Sequence, residues 1–284
     1  MTDRSTAELA REHGLMRMGA RPPLIEYFKQ AWSRRWFAWA MSRYAVEARN
    51  SRSRLGVVWV IARPLLLALT FGLVFGFILQ GFRPPDFISY LFVGVFVFEF
   101  FSKSFSEGAR SITSNTNLVA SLSFPRILLP LSAVLRNFIE FVPTMALLLL
   151  IVWTQGHWPR LEWLLVLPMM LMFAVFNTGV ALIAARLTVH LSDLSNLIPF
   201  VTRITFYLSG IFYEFERIFP ADAIELTLVR FNPIYDFICV FRAFITDGAT
   251  LVPQQWWVIG ISTPVLLILG VIFFWQAEER YGRE

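Results

Sequence analysis

The sequence has few of the residues on which covalent, redox and metal chemistry depend. Cys239 is its one cysteine, which excludes an internal disulfide. The chain contains no Walker A loop to hold ATP phosphates and no HExxH, CxxC or GxSxG motif. Its histidines, His13, His157 and His190, offer no metal-ligand spacing and are expected to be solvated loop residues. We therefore expect neither catalysis nor a metal or cofactor in this chain.

Charged residues are also scarce. Only 16% of the residues are charged, against about 25% in a typical soluble domain, whereas 56% are hydrophobic and the mean hydropathy is +0.59. This apolar excess predicts that lipid surrounds much of the surface. The net charge of +5 does not indicate nucleic acid, because basic residues crowd ahead of the first long apolar run, at Arg34, Arg35, Arg43, Arg49, Arg52 and Arg54. By the positive-inside rule, this places the N-terminus in the cytoplasm.

The N-terminal part of the chain divides into three predicted segments. Residues 1–23 hold no apolar signal-peptide core and are predicted to be a cytoplasmic tail. Residues 24–48 predict one amphipathic helix, whose apolar side chains recur three and four positions apart at Ile25, Phe28, Trp32, Trp36 and Trp39. We expect this helix to lie in the cytoplasmic membrane interface, the alternative being a soluble amphipathic helix. Residues 49–284 would form the membrane domain.

The membrane domain is predicted to be all-α, a polytopic bundle of six transmembrane helices with both termini cytoplasmic. The predicted spans are 57–80, 87–101, 127–153, 163–185, 194–213 and 251–277. Alternation then places segments 102–126 and 186–193 inside, and segments 81–86, 154–161 and 214–250 outside. The last outer segment holds two apolar stretches too short to span, Ile224–Val229 and 234–245. They predict a short re-entrant helical pair before the last span, the alternative being a surface loop packed on the bundle.

Some ionisable residues fall within the predicted spans, where each costs at least ~2.5–3.5 kcal/mol unless it finds a partner or water. Arg136 and Glu140 lie four positions apart on one helix face and are predicted to pair. Arg203 lies midway along the fifth span and indicates a polar pathway, the alternatives being snorkelling and a structural ion pair. Gly72 and Gly76 form a GxxxG pair that predicts close packing with another helix.

Five motifs follow one another along residues 24–280. They are Arg43-Tyr44 with Leu55-Gly56, Trp59 and Arg63-Pro64-Leu65; Phe124-Pro125-Arg126 with Pro130; Ser192-Asp193-Leu194 with Pro199; Ser209-Gly210-Ile211-Phe212-Tyr213; and Phe231-Asn232-Pro233 with Phe241-Arg242. In order and topology they resemble the motifs of type 2 ABC-exporter permeases, especially those that export bacterial polysaccharides. The chain departs from that family's pattern at Arg63, where the family has Gln, and at His190 to Asp193, where it usually has an Arg-Asp pair.

The resemblance implies partners as well as a fold. It implies a homodimeric permease in the bacterial inner membrane, bound to two copies of an ATPase subunit that carries the ATP and Mg²⁺. It also implies a coupling helix within residues 111–123, which docks in a groove on the ATPase. The candidate contacts there are the polar and apolar side chains of Asn115, Asn117, Leu118, Val119 and Leu122.

The resemblance further implies a lipid-linked polysaccharide as the substrate, such as O-antigen, capsule, cell-wall galactan or teichoic acid. Aromatic faces can stack on sugar C–H groups, so the candidate path residues are Phe71, Phe75, Arg203, Tyr207 and Tyr213. The candidate outer gate comprises Asn232, Pro233, Tyr235 and Phe237. For each aromatic, packing in the bundle or against lipid is the alternative. Export of a drug or small lipid, and a polytopic membrane enzyme or scaffold, remain the competing functions.

Overall fold

A computed structural model describes residues 22–51, 56, 58–78, 86–220, 223–247, 251–279 and 281 of the chain. Within these ranges all regular structure is helical, which confirms the predicted all-α class. The predicted tail 1–23 lies almost wholly outside the described residues, as do His13, the packing around Gly76 and most of the segment 81–86.

Twelve α-helices follow one another through the described ranges. They are α1 (Leu24–Ser33), α2 (Arg35–Ser51), α3 (Val58–Ile78), α4 (Phe87–Ala109), α5 (Thr116–Ser121), α6 (Leu128–Thr154), α7 (Val166–His190), α8 (Leu194–Leu208), α9 (Phe215–Ile218), α10 (Ile224–Val229), α11 (Pro233–Ile245) and α12 (Pro253–Gln276). Short 3₁₀ turns, Thr113–Asn115 and Leu161–Leu165, precede α5 and α7.

Five helices are long and apolar enough to cross a membrane, namely α3, α4, α6, α7 with its preceding turn, and α12. They confirm the polytopic architecture. The fifth predicted span contains only the 15-residue α8, which is about 22 Å long, whereas a bilayer core is about 30 Å thick. The count of six spans therefore stays a prediction.

The segment that contains α8 nevertheless lies along the length of α4, because it contacts α4 at both ends. Arg110, just after α4, donates a hydrogen bond of 3.2 Å to the carbonyl oxygen of Ser195. Tyr90, near the start of α4, donates to the carbonyl oxygens of Gly210 and Tyr213, each at 2.9 Å. The segment thus runs from one end of α4 to the other, with a non-helical stretch completing what α8 begins.

The N-terminal amphipathic segment is two helices rather than the single predicted helix. It breaks at Arg34, where φ is −101° and ψ is 18°. The break lets α1 pack Tyr27 toward the C-terminal turn while α2 packs along α6. On both helices the predicted apolar face points away from the bundle, since Ile25, Trp32 and Trp36 are each more than 65% exposed.

The second span is longer than predicted. Its helix, α4, continues eight residues past Phe101 to Ala109. Lys103 and Glu107 lie in this extension, which was predicted to belong to the inner segment 102–126. They are tolerated within the bundle because both form ion pairs with neighbouring side chains.

The core centres on α4, which is the most buried of the spanning helices. α7 and α12 approach so closely that a Cβ added to Gly270 would lie 2.5 Å from the carbonyl oxygen of Gly179. The two short helices predicted before the last span are confirmed as α10 and α11, and their re-entry into the membrane stays a prediction. Of these, α11 is almost wholly buried against α4, α7 and α12, rather than packed on the surface.

Two sets of loops mark the two ends of the bundle. The α1 end gathers α1, residues 110–127, residues 190–195 and the C-terminal turn, through bonds such as Arg110 to Ser195 and Tyr27 to Glu278. The α11 end gathers Asp86, residues 154–165, and the described residues 209–220, 223–247 and 251–252, through contacts such as His157 to Asp247. This grouping of loops agrees with the predicted alternation, and the cytoplasmic position of the α1 end stays a prediction.

Candidate functional site

A groove of about 480 Å³ opens between α3, α4 and α8. The polar side of its wall comes from α4, where Glu99, Ser102, Ser106 and Arg110 recur three or four positions apart and so share one helix face. The other lining residues are Leu67, Phe71, Val95, Phe98, Pro199, Thr202, Arg203, Phe206 and Tyr207. Three of the predicted path residues, Phe71, Arg203 and Tyr207, therefore lie around one cavity.

Aromatic rings form the far wall of this groove. Phe71 packs on Phe206 and Phe212, with ring centroids 5.3 and 5.1 Å apart. Phe75, one turn along α3, stacks on Phe212 at 4.1 Å. Phe75 therefore belongs to the aromatic cluster behind the groove rather than to its open surface.

Tyr213 closes the same region at the α11 end. Its hydroxyl donates a 2.7 Å hydrogen bond to the carbonyl oxygen of Tyr207, and its ring packs edge-on against Phe215 at 5.0 Å. Tyr213 thus braces the segment that carries Tyr207, while the Tyr207 side chain itself is half exposed.

The three charged side chains that line the groove, Glu99, Arg110 and Arg203, differ in how they are held. Glu99 is paired with Lys103 at 2.8 Å. Arg203 is exposed and forms no ion pair with any residue in the described part of the chain. An uncommitted guanidinium beside aromatic rings is suited to an anionic or hydroxyl-rich ligand.

A network of six charges, hereafter the charge network, lies between α2, α4 and α6. Its members are Arg49, Glu99, Lys103, Glu107, Arg136 and Glu140. Glu107 pairs with Arg136 at 2.5 Å and with Arg49 at 3.2 Å. Glu140 lies 3.7 Å from Arg49 and 3.8 Å from Lys103.

The charge network corrects the predicted pairing of Arg136 with Glu140. Both side chains contact charges on another helix instead, since α4 places Glu107 next to Arg136 and Lys103 next to Glu140. The signal that was missed is the run Glu99, Lys103, Glu107, whose alternating charges recur every four residues. With three acids and three bases, the network is formally neutral.

The predicted coupling segment projects from the α1 end as a 3₁₀ turn followed by α5. Val119 is buried in a cluster with Ile112 and Ile127, so in this conformation it attaches α5 to its own chain and is not available to a partner. Leu118 is half-buried against the same cluster. Leu122 alone of the three predicted apolar anchors is exposed, at 51%.

The polar members of this segment divide in a similar way. Asn117 is exposed. Asn115 is half-buried, and its side-chain amide donates to the carbonyl oxygen of Ser111 at 2.8 Å, which fixes the turn into α5. The exposed face that α5 presents therefore consists of small and polar side chains with Leu122 at its end.

The four residues of the predicted outer gate are structural in this conformation. Asn232 caps α11, its side-chain oxygen accepting from the backbone N–H of Ile234 at 3.1 Å, and Pro233 begins that helix. Tyr235 is 2% exposed and donates to the carboxylate of Glu216. Phe237 is fully buried and packs on Phe173 at 4.5 Å. Neither aromatic lines an opening, so the gate assignment does not fit this state.

Arg242 holds the α11 end together and was not among the predicted site residues. It is 3% exposed, and its guanidinium lies 3.3 Å from the ring centroid of Tyr90. It donates to the carbonyl oxygens of Tyr90, Gly210 and Ile211 at 3.1 to 3.3 Å. The available signal was an arginine within the apolar stretch that follows the Asn232-Pro233 helix start.

His157 also departs from its prediction as a solvated residue. It is 5% exposed. Its Nδ1 lies 2.9 Å from a carboxylate oxygen of Asp247, and its Nε2 lies 3.8 Å from one of Asp86. The described residues contain no cluster of His, Cys, Asp and Glu that is suited to a metal ion.

Comparison with known proteins agrees with this arrangement. The family model described as "ABC-2 type transporter" matches residues 37–245. An O-antigen export system permease protein RfbA from Klebsiella pneumoniae is 24% identical over 238 residues, which cover 84% of this chain and 90% of that protein. A protein of the same name from Myxococcus xanthus is 26% identical over 259 residues, covering 91% and 99%. These matches confirm the resemblance that the motifs suggested.

Proposed function

Because the chain belongs to the ABC-2 type transporter family, we propose that it moves a lipid-linked polysaccharide out of the cytoplasm, driven by a separate ATPase subunit. The family match and the spanning helices make the chain the membrane component of a transporter. The observation that carries the finer proposal is the groove between α3, α4 and α8, which combines aromatic rings with an uncommitted arginine.

The chemistry of the groove suits a glycan carried on a phosphorylated lipid. Rings such as those of Phe71 and Tyr207 offer flat apolar faces for sugar C–H groups. The serines of α4 and the guanidinium of Arg203 supply polar contacts for hydroxyl groups or for a phosphate linkage. Relatives named as O-antigen export permeases support this substrate class.

The groove is open on one side in a single chain, which supports a second copy as partner. Only 17% of the spanning window of α3 is buried, against 67% of that of α4. Large apolar side chains on α3 and α8 are exposed on either side of the groove, among them Leu73, Phe200 and Ile204. A homodimer that buries these faces would enclose the groove as a path.

The exposed end of α5 is the proposed site for the ATPase. Asn117 on α5 offers a polar contact and Leu122, directly after α5, an apolar one, and Val119 and Asn115 attach this helix to its own chain. A partner that grips this helix can move the spans only if it binds two arrangements of the bundle with different affinity.

Reconstituted vesicles containing the chain and its ATPase test the substrate assignment. We expect Arg203→Gln to reduce translocation of a lipid-linked glycan at least tenfold (about 1.4 kcal/mol or more), because one charged contact is lost. Arg203→Lys should retain part of the activity. Thr205→Val, on α8 but outside the groove lining, is the matched control.

The same vesicles distinguish the competing substrates. If a drug or a small lipid stimulates ATP hydrolysis and crosses the membrane while lipid-linked glycans do neither, the polysaccharide proposal is refuted. If Arg203→Gln transports glycan as fast as the wild type, the groove is not the path.

A further inference from the structure

Three segments far apart in the sequence meet around the side chain of Glu278, which follows α12 and is 5% exposed. One carboxylate oxygen accepts a hydrogen bond from the hydroxyl of Tyr27 on α1, at 2.8 Å. The other accepts from the backbone N–H of Arg126, at 3.0 Å. Residue 126 lies in the chain that leads from α5 into α6, so one carboxylate joins α1, α12 and the base of the α5 loop.

Further bonds double each of these connections. The Tyr27 hydroxyl also accepts from the backbone N–H of Ile127 at 3.2 Å. The Arg126 guanidinium donates to the carbonyl oxygen of Glu278 at 2.7 Å. Both oxygens of the carboxylate and both roles of the tyrosine hydroxyl are therefore used.

α1 is attached at its two ends as well. The guanidinium of Arg34 donates to the carbonyl oxygen of Ser123, just beyond α5. The indole N–H of Trp275 donates to the carbonyl oxygen of Pro22 at 3.0 Å. These bonds and those around Glu278 form what we call the Glu278 junction.

Through the Glu278 junction, a displacement of α5 can reach helices that are not its neighbours along the chain. Along the backbone, a displacement of α5 reaches only α4 and α6. Through Glu278 it also reaches α12, and α12 packs against α7 at the Gly179–Gly270 contact, where backbone meets backbone without intervening side chains.

Burial of Glu278 has an electrostatic cost that the junction only partly offsets. Burial raises the pKa of the Glu278 carboxyl above its ordinary value, while the backbone N–H of Arg126, the Tyr27 hydroxyl and the Arg126 guanidinium oppose this rise. A neutral glutamine would avoid the cost of burying charge. The carboxylate offers a separate acceptor oxygen to the Tyr27 hydroxyl and to the Arg126 N–H, whereas glutamine would turn its NH2 group, itself a donor, toward one of them.

We propose that Glu278 is a positioning residue for coupling, which makes α1, the loop after α5 and the start of the C-terminal segment move as one body. This inference rests on the proposed function, because it assumes that an ATPase acts on α5. Glu278 touches neither substrate nor nucleotide in this role. It acts by passing the displacement of α5 to α12 and α7.

The first experiment compares Glu278→Gln with the wild type in vesicles that contain the ATPase. We expect complex formation and ATP hydrolysis to persist, while glycan translocated per ATP falls roughly tenfold, because glutamine satisfies only one of the two donors. In Tyr27→Phe, glycan translocated per ATP should also fall, but by a smaller factor. Tyr281→Phe is the matched control, because its hydroxyl bonds within the C-terminal turn, to Phe274. Unchanged glycan transport per ATP in Glu278→Gln overturns the proposal.

A second experiment measures the junction without relying on transport. Spin labels at Glu26 of α1 and at Ser123, both exposed, report the distance between the two segments in a Cys239→Ser background. We expect a narrow distance distribution that ATP does not shift in the complete complex, and a broadened one in Glu278→Gln even without the ATPase. A wild-type distance that shifts with ATP, or a Glu278→Gln distribution as narrow as the wild type, overturns the single-body inference. If the wild-type chain and its ATPase move no glycan, the proposed function fails. The spin-label distances still test whether the Glu278 junction holds its segments together.

Discussion

Replacing Glu107 by glutamine should destabilise the protein more than replacing Glu140, although Glu140 is the more buried of the two carboxylates. The side chain of Glu140 is 5% exposed and that of Glu107 is 25% exposed. A ranking by burial alone would therefore place Glu140 first. The order is reversed because only the loss of Glu107 leaves a cation without an acidic partner.

Loss of the Glu107 charge leaves Arg136 without an acidic partner among the described residues, since their 2.5 Å ion pair is the one that Arg136 forms there. Arg49 retains Glu140 at 3.7 Å. Breaking a fully buried pair typically costs 3–5 kcal/mol, but both Glu107 and Arg136 are 25% exposed. We therefore expect a loss of about 2–3 kcal/mol after allowing for screening by solvent.

Loss of the Glu140 charge leaves every cation of the charge network with an acidic partner. Lys103 keeps Glu99 at 2.8 Å and Arg49 keeps Glu107 at 3.2 Å. The contacts of Glu140 with these cations, at 3.8 and 3.7 Å, are too long for hydrogen bonds. A neutral glutamine also removes the cost of burying a charge, so we expect a loss of about 0–1 kcal/mol.

Unfolding in mixed micelles with a rising fraction of SDS, followed by tryptophan fluorescence, measures the difference. Glu47→Gln is the surface control, because Glu47 pairs with Arg43 in an exposed i, i+4 pair and should contribute at most about 0.5 kcal/mol. Adding Arg136→Met to Glu107→Gln should recover part of the loss, because no unpaired guanidinium remains. A Glu140→Gln variant that is the less stable of the two refutes the reasoning from partners.

Three further predictions concern other parts of the bundle. Gly270→Ala should cost about 1–3 kcal/mol through its clash with Gly179, whereas Gly260→Ala on the same helix, with no neighbouring atom within 4 Å, should not destabilise; the same micelle titration compares them. Arg242→Gln should cost about 1–3 kcal/mol, because the buried carbonyl oxygen of Ile211 loses this donor, and an unfolding midpoint equal to that of the wild type would contradict this. The raised pKa of Glu278 means that the folded state binds the carboxyl proton more tightly than the unfolded state does. The contribution of Glu278 to stability is therefore greatest below its ordinary pKa of 4.5, and it is lost as the pH rises through the pKa of the folded state. Stability measured against pH should therefore fall less steeply above pH 4.5 in Glu278→Gln than in the wild type.

Sequence patterns were sufficient where one physical force dominates. Long apolar runs located α3, α6, α7 and α12 within a few residues, because the bilayer thickness sets their length. The two short apolar stretches before the last span were located as α10 and α11, because Asn232-Pro233 separates them and neither is long enough to span. The groove was anticipated in part, since Phe71, Arg203 and Tyr207 do line one cavity.

The errors arose where tertiary contacts decide the outcome. Ion pairs with α2 and α6 extend α4 past Phe101, and no local pattern reports partners on another helix. The helix break at Arg34 depends on separate docking sites for α1 and α2. Tyr235 and Phe237 are buried in this conformation, and their assignment to an outer gate stays a prediction, because aromatic composition alone does not distinguish a core from an opening.

Side-specific labelling of single cysteines in the membrane tests the account most directly. In a Cys239→Ser background, cysteine replaces either the exposed Asn117 on α5 or the exposed Trp158 at the α11 end. The account predicts that an impermeant maleimide labels position 117 only from the cytoplasmic side, that the ATPase subunit protects it there, and that position 158 is labelled only from the outer side. Labelling of position 117 from outside would leave α5 beyond the reach of any cytoplasmic ATPase and would contradict the account.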